Sequence, residues 1–179
     1  MKVNVSFTDT QIKSILKNNI VILIDSREQK NQHIIEYLEK KKIKYEVTTL
    51  EYGDYSCKFE ELEKFGINYP ISLEKNCVIE RKNSLEEVSG NLTQGRNRFE
   101  NEFIKAKGDG CSVHLVIADG SYDKIAYSQY NTEFNNKSFY NSLISFQIKY
   151  SLSIEFVSEK IFPLHLLNVL HIEARKFLK

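Results

Sequence analysis

Short apolar runs rich in β-branched residues alternate along this chain with segments whose apolar residues repeat at helical spacing. The runs predict buried strands at residues 20–24, 45–50, 77–82, 113–118 and 152–157. The helical patterns predict helices at residues 9–17, 31–42, 85–107, 136–149 and 161–178, with a break in the third near Gly95. This alternation predicts an α/β fold with a central mixed sheet and helices on both faces.

The composition fits one ordinary domain. The chain has 179 residues, of which 41% are hydrophobic and 27% charged, so it can bury a normal core. Its net charge is +1, so any surface that binds nucleic acid must concentrate basic residues locally. No run approaches the roughly 20 apolar residues of a membrane span, and no signal-peptide core follows the N-terminus. Three cysteines without metal-ligand spacing predict reduced thiols and an intracellular location, in cytoplasm or nucleoid, or in the nucleus if the source is eukaryotic.

The strand predicted at 77–82 ends in three charged residues. Because side chains alternate between the faces of a strand, Glu80 and Lys82 project to one side and Arg81 to the other. A carboxylate beside an ammonium at the end of a buried strand is an arrangement that metal-dependent phosphodiesterases use. The alternative is an exposed strand end with solvated charges.

Four acidic residues lie in or near predicted strand ends, where α/β proteins gather functional groups. They are Asp25, Glu28, Asp54 and Glu80. Carboxylate oxygens suit Mg²⁺ or Mn²⁺, and the Lys82 ammonium could stabilise charge on a phosphoryl group. Each acid has a structural alternative: Asp25 as a helix cap or turn residue, and Asp54, after Gly53, as a turn residue.

Two arginines neighbour these acids. Arg27 and Arg81 can each bind phosphate through two N–H groups or pair with the carboxylates. The residues alone do not decide between these roles.

Three segments occur together in order: Asp-Ser-Arg-Glu at 25–28, Gly-Asp-Tyr at 53–55 and Glu-Arg-Lys at 80–82. This combination resembles the nuclease domain of the XPF family of structure-specific endonucleases. The family also has an acid four positions after the lysine, here Glu86 in place of the usual Asp, and a turn similar to residues 90–96.

The resemblance implies a restriction-endonuclease-like core of the PD-(D/E)XK type. It also implies Mg²⁺- or Mn²⁺-dependent hydrolysis of DNA at branches, flaps or junctions. It makes Asp54 and Glu80 direct metal ligands, places Asp25 near the ion, and makes Lys82 the catalytic lysine. It assigns supporting roles in the catalytic site to Arg27, Glu28 and Arg81, and a peripheral role to Glu86.

The chain also departs from the family pattern. Asp54 and Glu80 lie 26 positions apart, which is longer than usual and predicts an inserted hairpin or small lobe at 58–76. We therefore divide the chain into an N-terminal extension, 1–19, and a nuclease domain, 20–179. The tandem helix-hairpin-helix module of many relatives has no room in these residues, so substrate selection would come from the core, from a homodimer through the C-terminal helices or from a partner protein.

Basic residues after Gly95 are candidates for DNA binding. Arg96 and Arg98 lie at the predicted start of a helix, where free amide groups also favour phosphate, and Lys105 continues the basic character. Tyrosines in the segment 120–135 could stack on unpaired bases, although packing against the sheet is the favoured alternative.

Other functions remain open at this point. The domain could be a non-catalytic DNA-binding or scaffold module, or a sequence-specific restriction-type nuclease. The presence of Asp54, Glu80 and Lys82 favours activity over the scaffold alternative. A nucleotide-binding protein is disfavoured, because no glycine-rich phosphate loop follows any predicted strand.

Overall fold

The computed structural model describes residues 6–179, so the first five residues of the predicted N-terminal extension lie outside the described residues. Within this range the helices are α1 (Asp9–Asn18), α2 (Gln32–Lys40), α3 (Leu85–Leu92), α4 (Arg96–Gly108), α5 (Tyr122–Ala126), α6 (Asn136–Tyr150) and α7 (Phe162–Phe177). The strands are β1 (Ile20–Asp25), β2 (Tyr45–Thr48), β3 (Tyr55–Phe59), β4 (Ile71–Ser72), β5 (Cys77–Lys82), β6 (Ser112–Ala118) and β7 (Ser153–Val157). No helix in this part of the chain is long and apolar enough to cross a bilayer.

The strands form one mixed sheet in the order β2-β1-β3-β5-β6-β7, with β4 paired to β3. Strand β1 pairs with β2 in parallel, as β5 does with β6 and β6 with β7. Strand β3 runs antiparallel to both β1 and β5. The start of β3 therefore lies at the same edge of the sheet as the ends of β1 and β5.

Helices cover both faces of the sheet, each over its own hydrophobic core. One core joins α1, α2 and α7 to residues such as Ile22, Ile24 and Ile79. The other joins α3, α4, α5 and α6 to Val78, Leu115 and others. The predicted α/β architecture is confirmed.

The predicted strands at 20–24, 45–50, 77–82, 113–118 and 152–157 all exist within two residues of the expected bounds. The predicted break near Gly95 separates α3 from α4. Strand β3 and the short elements β4 and α5 were not predicted. Their apolar patterns are only two to five residues long, which is too short for periodicity to distinguish them from loops.

The insertion predicted at 58–76 contributes to the hydrophobic core that is covered by α1, α2 and α7. Phe59 pairs with Ile71 across β3 and β4, and Leu62 bridges to Ile67. Ile71 and Leu73 are buried in the core under α1, α2 and α7. The insertion begins at the end of β3, whereas Asp54 precedes the start of that strand. The end of the insertion returns to the loop before β3, where Lys75 pairs with Glu51 at 3.2 Å.

Candidate active site

A polar cleft of about 310 Å³ lies at the sheet edge where β1 and β5 end and β3 begins. Six of the residues singled out from the sequence line it, namely Asp25, Arg27, Asp54, Glu80, Lys82 and Arg98. They come from β1 and the residues just after it, the start of β3, the end of β5 and the start of α4. The fold therefore brings together the acids, the lysine and two arginines that are distant in sequence.

Asp54 is held between β1 and β5 by its own backbone. Its amide donates to the carbonyl of Ile79 at 2.8 Å, and its carbonyl accepts from the amide of Asp25 at 2.8 Å. Its Oδ2 accepts from the amide of Arg81 at 2.7 Å. These three bonds fix the position of the carboxyl group in the cleft.

Gly53 makes this placement sterically feasible. Its φ of +74° is in the left-handed region that favours glycine. A Cβ atom at this position would lie 2.7 Å from Cβ of Val78. In the Gly-Asp-Tyr segment, Gly53 therefore allows a backbone turn and also lets the chain pass close to β5 just before β3 begins.

Glu80 and Lys82 project into the cleft from β5, and both are buried. The Lys82 ammonium donates to Oε1 of Glu80 at 2.7 Å and lies 5.1 Å from the centre of the Phe99 ring. Burial alone would lower the pKa of Lys82, but the charges of Glu80, Asp54 and Glu87 outweigh it and raise the pKa. The lysine is therefore a protonated amine beside the acids.

The pKa of Asp54 is raised, although a cation, Lys82, lies nearby. Burial raises it well above its usual value, and the charge of Glu80 raises it further. A buried carboxyl group beside a second acid is stabilised in its ionised form by a nearby positive charge. Lys82 supplies part of that charge.

The donor set fits a divalent cation such as Mg²⁺. Asp54 and Glu80 each use one carboxylate oxygen in the bonds above, and the other has no hydrogen-bond partner among residues 6–179. In the same residues, no group of three or more His, Cys, Asp and Glu side chains is arranged to hold a metal ion. Mg²⁺ usually binds through one or two carboxylates, with waters and substrate phosphates as its remaining ligands.

Asp25 is in the cleft, but both of its oxygens are already engaged. Oδ1 accepts from the amide and Nε of Arg27 at 2.8 and 2.7 Å. Oδ2 accepts from Nη2 of Arg27 at 2.9 Å and from the amide of Leu50 at 2.8 Å. Burial would raise the pKa of Asp25, but these bonds outweigh it and lower the pKa.

Arg81 lies on the opposite face of the sheet, as the strand alternation predicted. Its buried guanidinium donates to both oxygens of Glu159 at 2.6 and 2.8 Å and to the carbonyl of Lys30 at 3.1 Å. Glu28 is also on this side, 3.5 Å from Nη1 of Arg81. These two predicted site residues support the cleft from behind and do not line it.

The acid that faces the lysine is Glu87, which the sequence did not single out, whereas Glu86 is peripheral. Oε1 of Glu87 is 3.6 Å from Nζ of Lys82, and its Oε2 accepts from the amide of Asn83 at 2.9 Å. Glu86 turns away and accepts from the amide of Asn131 at 2.9 Å. The difference arises because α3 begins after its cap at Ser84, so the helical turn aims the second acid at the strand.

The three predicted DNA-binding residues have different surroundings. Arg98 is 83% exposed and lines the cleft. Lys105 is exposed and lies seven residues further along α4, hence close to the same helix face. Arg96 is partly buried, packs over Phe146 at 5.0 Å and donates to the carbonyl of Leu92.

The tyrosines of the segment 120–135 mostly pack internally, as favoured from the sequence. Tyr122 packs against Phe156 at 5.0 Å, and Tyr130 packs against Phe139 at 5.2 Å. Tyr127 is exposed. Base stacking is therefore open to Tyr127 in this conformation.

Two further acids line the cleft and were missed in the sequence. Glu102 lies on α4 one turn after Arg98, with Nε of Arg98 3.9 Å from its carboxylate, and Glu51 precedes Tyr52 in the loop before β3. The i, i+4 spacing from Arg98 was the available signal for Glu102. It could not be used without knowing which face of α4 meets the sheet.

Comparisons with known proteins agree with this fold. The ERCC4 domain family model matches residues 24–170. No curated protein matches the chain. Among solved structures, XPF from Aeropyrum pernix matches with a TM-score of 0.62 and 15% identity over 87% of this chain, and XPF from Aeropyrum pernix in complex with DNA matches with 0.60 and 14% over 87%. This chain covers 66% of each of those chains, and at such identities the likeness concerns the fold.

Proposed function

Because this chain belongs to the ERCC4 domain family, we propose that it is a divalent-metal-dependent DNA endonuclease that cuts branched, flapped or junction DNA. The observation that carries the proposal is the meeting of Asp54, Glu80 and Lys82 in one cleft at the sheet edge. A non-catalytic scaffold would have no need to keep two acids and an ammonium buried together. A relative of the same fold has been solved in complex with DNA, which supports DNA as the ligand.

Asp54 and Glu80 are the residues that would hold Mg²⁺ or Mn²⁺, through the oxygen that each leaves free. When bound, such an ion polarises the scissile phosphate and lowers the pKa of water. Asp25 is left out of this ligand set, because its two oxygens already accept four hydrogen bonds.

Lys82 has the second role at the reaction centre. Its protonated amine lies beside Glu80, so it would face the phosphoryl oxygens of a substrate bound at the two acids. There it would stabilise the negative charge that builds up as water attacks the phosphorus in line. Glu87 on the other side of the amine would keep it in position.

The direct test is cleavage of labelled flap, fork, four-way-junction and linear duplex DNA, with Mg²⁺ or with EDTA. Cleavage of branched DNA that stops with EDTA is expected, and Lys82→Ala should lose cleavage but keep DNA binding. Folded protein that cuts none of these substrates with Mg²⁺ or Mn²⁺ would overturn the proposal. Cleavage of linear duplex at one sequence would instead support the restriction-type alternative.

Metal binding separates the nuclease from the scaffold alternative. Titration with Mn²⁺, followed by the electron paramagnetic resonance signal of the free ion, should show uptake by the native chain and much weaker uptake by Glu80→Gln. DNA binding without any metal uptake would favour the scaffold module.

Self-association is part of the same proposal. Three apolar side chains at the last helix are exposed: Ile161, which precedes α7, and Leu164 and Ile172 on it. The buried side chains of α7 pack into the core with residues of β3 and β5, and these three side chains lie outside that contact. We propose that this surface pairs with a second copy or a partner protein. A monomeric mass by light scattering at high protein concentration would exclude the homodimer.

A further inference from the structure

The Asp25 carboxylate and the Arg27 guanidinium form a rigid fork at the rim of the cleft. Two parallel bonds join them, Nε to Oδ1 at 2.7 Å and Nη2 to Oδ2 at 2.9 Å. Nη2 makes a further bond to the carbonyl of Leu50 at 2.8 Å. Planar, two-point pairing of this kind fixes the orientation of the guanidinium as well as its position.

The donors of Arg27 are unequally used. A guanidinium has five N–H groups. The N–H of Nε and both N–H groups of Nη2 are taken by the three bonds above, whereas Nη1 has no acceptor among residues 6–179. The side chain is 66% exposed and lines the cleft that holds Asp54 and Glu80. One nitrogen with two donors is therefore presented at the rim of the cleft, on a group that cannot rotate freely.

Asp25 has the complementary property. It is 2% exposed, and both of its oxygens are engaged by two N–H groups each. Binding a metal ion directly would require it to give up bonds to Arg27 or to Leu50. Its carboxylate is thus suited to hold an arginine and poorly suited to hold an ion.

The cleft needs a cation that is held in place. A phosphodiester that enters the cleft meets the negative charges of Glu80 and Glu102. The hydrogen bond to Asp25 raises the pKa of Arg27 most, and the nearby charge of Glu102 raises it further. Lys82 is already paired with Glu80. Arg27 is the cleft cation whose guanidinium is rigidly fixed while its Nη1 is left open, and a fixed donor loses less conformational freedom on binding than a mobile one.

We infer that Arg27 binds one phosphate of the DNA substrate through Nη1, and that Asp25 is a positioning residue that acts by holding Arg27 and not as a metal ligand. This inference rests on the proposed nuclease function and identifies a substrate contact within the same cleft. It replaces the earlier placement of Asp25 next to the ion.

The role of Asp25 is tested by metal binding. Mn²⁺ titration should give nearly the same affinity for Asp25→Asn as for the native chain, whereas Asp54→Asn should lose roughly tenfold or more. An equal loss in Asp25→Asn and Asp54→Asn would make Asp25 a ligand and overturn this part of the inference. If Asp25→Asn does not fold, the phosphate contact is still tested by Arg27→Gln, which should fold because the Arg27 side chain is largely exposed.

The phosphate contact is tested by DNA binding in a Lys82→Ala background, in which the substrate stays intact. Single neutral methylphosphonates are moved along a flap substrate one phosphate at a time. At one position the parent protein should lose roughly tenfold to a hundredfold in affinity, while Arg27→Gln should be insensitive at that position. Lys13→Ala, which removes an exposed charge on α1, is the control and should keep the parent's profile.

Three results would overturn the contact. The first is an Arg27→Gln variant that keeps the parent's full sensitivity at every position. The second is an Arg27→Gln variant that weakens binding evenly without any position-specific effect. The third is a parent that binds no DNA. The readout is independent of cleavage. If the Lys82→Ala parent binds with the expected profile while the native chain cuts none of the DNA substrates, the nuclease is refuted and the Arg27 contact stands.

Discussion

At the residue scale, the cleft shifts Asp54 away from the ionised state that a carboxyl group has in neutral water. Asp54 is pushed towards its neutral form by burial and by Glu80, whereas Lys82 is kept protonated by the surrounding acids. A divalent cation bound at Asp54 and Glu80 would favour the ionised form of Asp54. In the metal-free protein, the ionisation of Asp54 in the folded state should lower the stability by a measurable amount.

The pKa of Asp54 predicts how the stability of the metal-free protein depends on pH. Its folded pKa lies above its unfolded value near 3.8, so the folded state keeps a proton that the unfolded state releases. Stability from this group is complete below about pH 3.8 and is lost as pH rises through the folded pKa. Asp54→Asn should therefore be more stable than the native chain at neutral pH in EDTA, by urea denaturation, with the difference vanishing in acid.

The outcome that would contradict this is a destabilised Asp54→Asn at neutral pH without metal. Addition of Mn²⁺ serves as the control, because it should stabilise the native chain and leave Asp54→Asn nearly unchanged.

Glu86 and Glu87 offer a matched pair of adjacent acids. Burial would raise the pKa of Glu87, but its bonds from Asn83 and the charge of Lys82 lower it, so it is an ionised neighbour of the amine. Glu87→Gln should slow cleavage roughly three- to tenfold, with an unchanged Michaelis constant for DNA, because Lys82 loses one partner. Glu86→Gln should cleave at nearly the native rate. A larger loss of cleavage in Glu86→Gln than in Glu87→Gln would show that Glu86, at the family's acidic position, is the acid that supports the site.

At the scale of elements, the site depends on how β3 enters the sheet. The antiparallel strand begins where its two neighbours end, and Gly53 lets the chain turn against β5 at that point. The geometry of the turn thus decides whether Asp54 reaches the cleft.

Gly53 and Gly66 allow the two contributions to be separated, because both have a φ of +74°. Alanine at either site should cost about 1–2 kcal/mol for the left-handed backbone. Gly53→Ala should cost about 1–3 kcal/mol more, because its Cβ would overlap Val78, whereas nothing lies within 4 Å of that atom at Gly66. Urea denaturation measures both losses. Equal losses would show that the contact with Val78 relaxes freely.

At the scale of the whole molecule, Arg81 joins three distant parts of the chain. From the middle of the sheet it contacts the loop after β1 through Lys30 and Glu28, and the loop before α7 through Glu159. It also packs 5.2 Å from the ring of Phe162 at the start of α7. The face behind the cleft is thereby tied to the C-terminal helix.

Removal of Glu159 should destabilise the fold, since it leaves a buried guanidinium with fewer partners. We expect Glu159→Ala to lower the free energy of unfolding by about 2 kcal/mol, less than for a fully buried pair because Glu159 is partly exposed. Glu60→Ala, which breaks the exposed pair with Lys44, is the control and should cost less than about 1 kcal/mol. Equal effects in thermal or urea unfolding would contradict the tie.

The sequence by itself determined the strands β1, β2, β5, β6 and β7, the long helices and the segments that supply the acids and the lysine. These are local properties: runs such as 77–82 and 113–118 are apolar over the length of a buried strand, and alternation sets the faces of Glu80, Arg81 and Lys82. The break near Gly95 and the fold class follow from the same patterns.

Only the tertiary structure decided which of these side chains meet. The five-residue β3 has too short a pattern to reveal its direction, yet its reversal carries Asp54 to the ends of β1 and β5. The engagement of Asp25 by Arg27 and Leu50, the choice of Glu87 over Glu86, and the arrival of Glu102 depend on loop paths and helix rotation. Hydrogen bonds and charge pairs between residues distant in sequence leave no periodic trace in it, so they become visible only once the chain is folded.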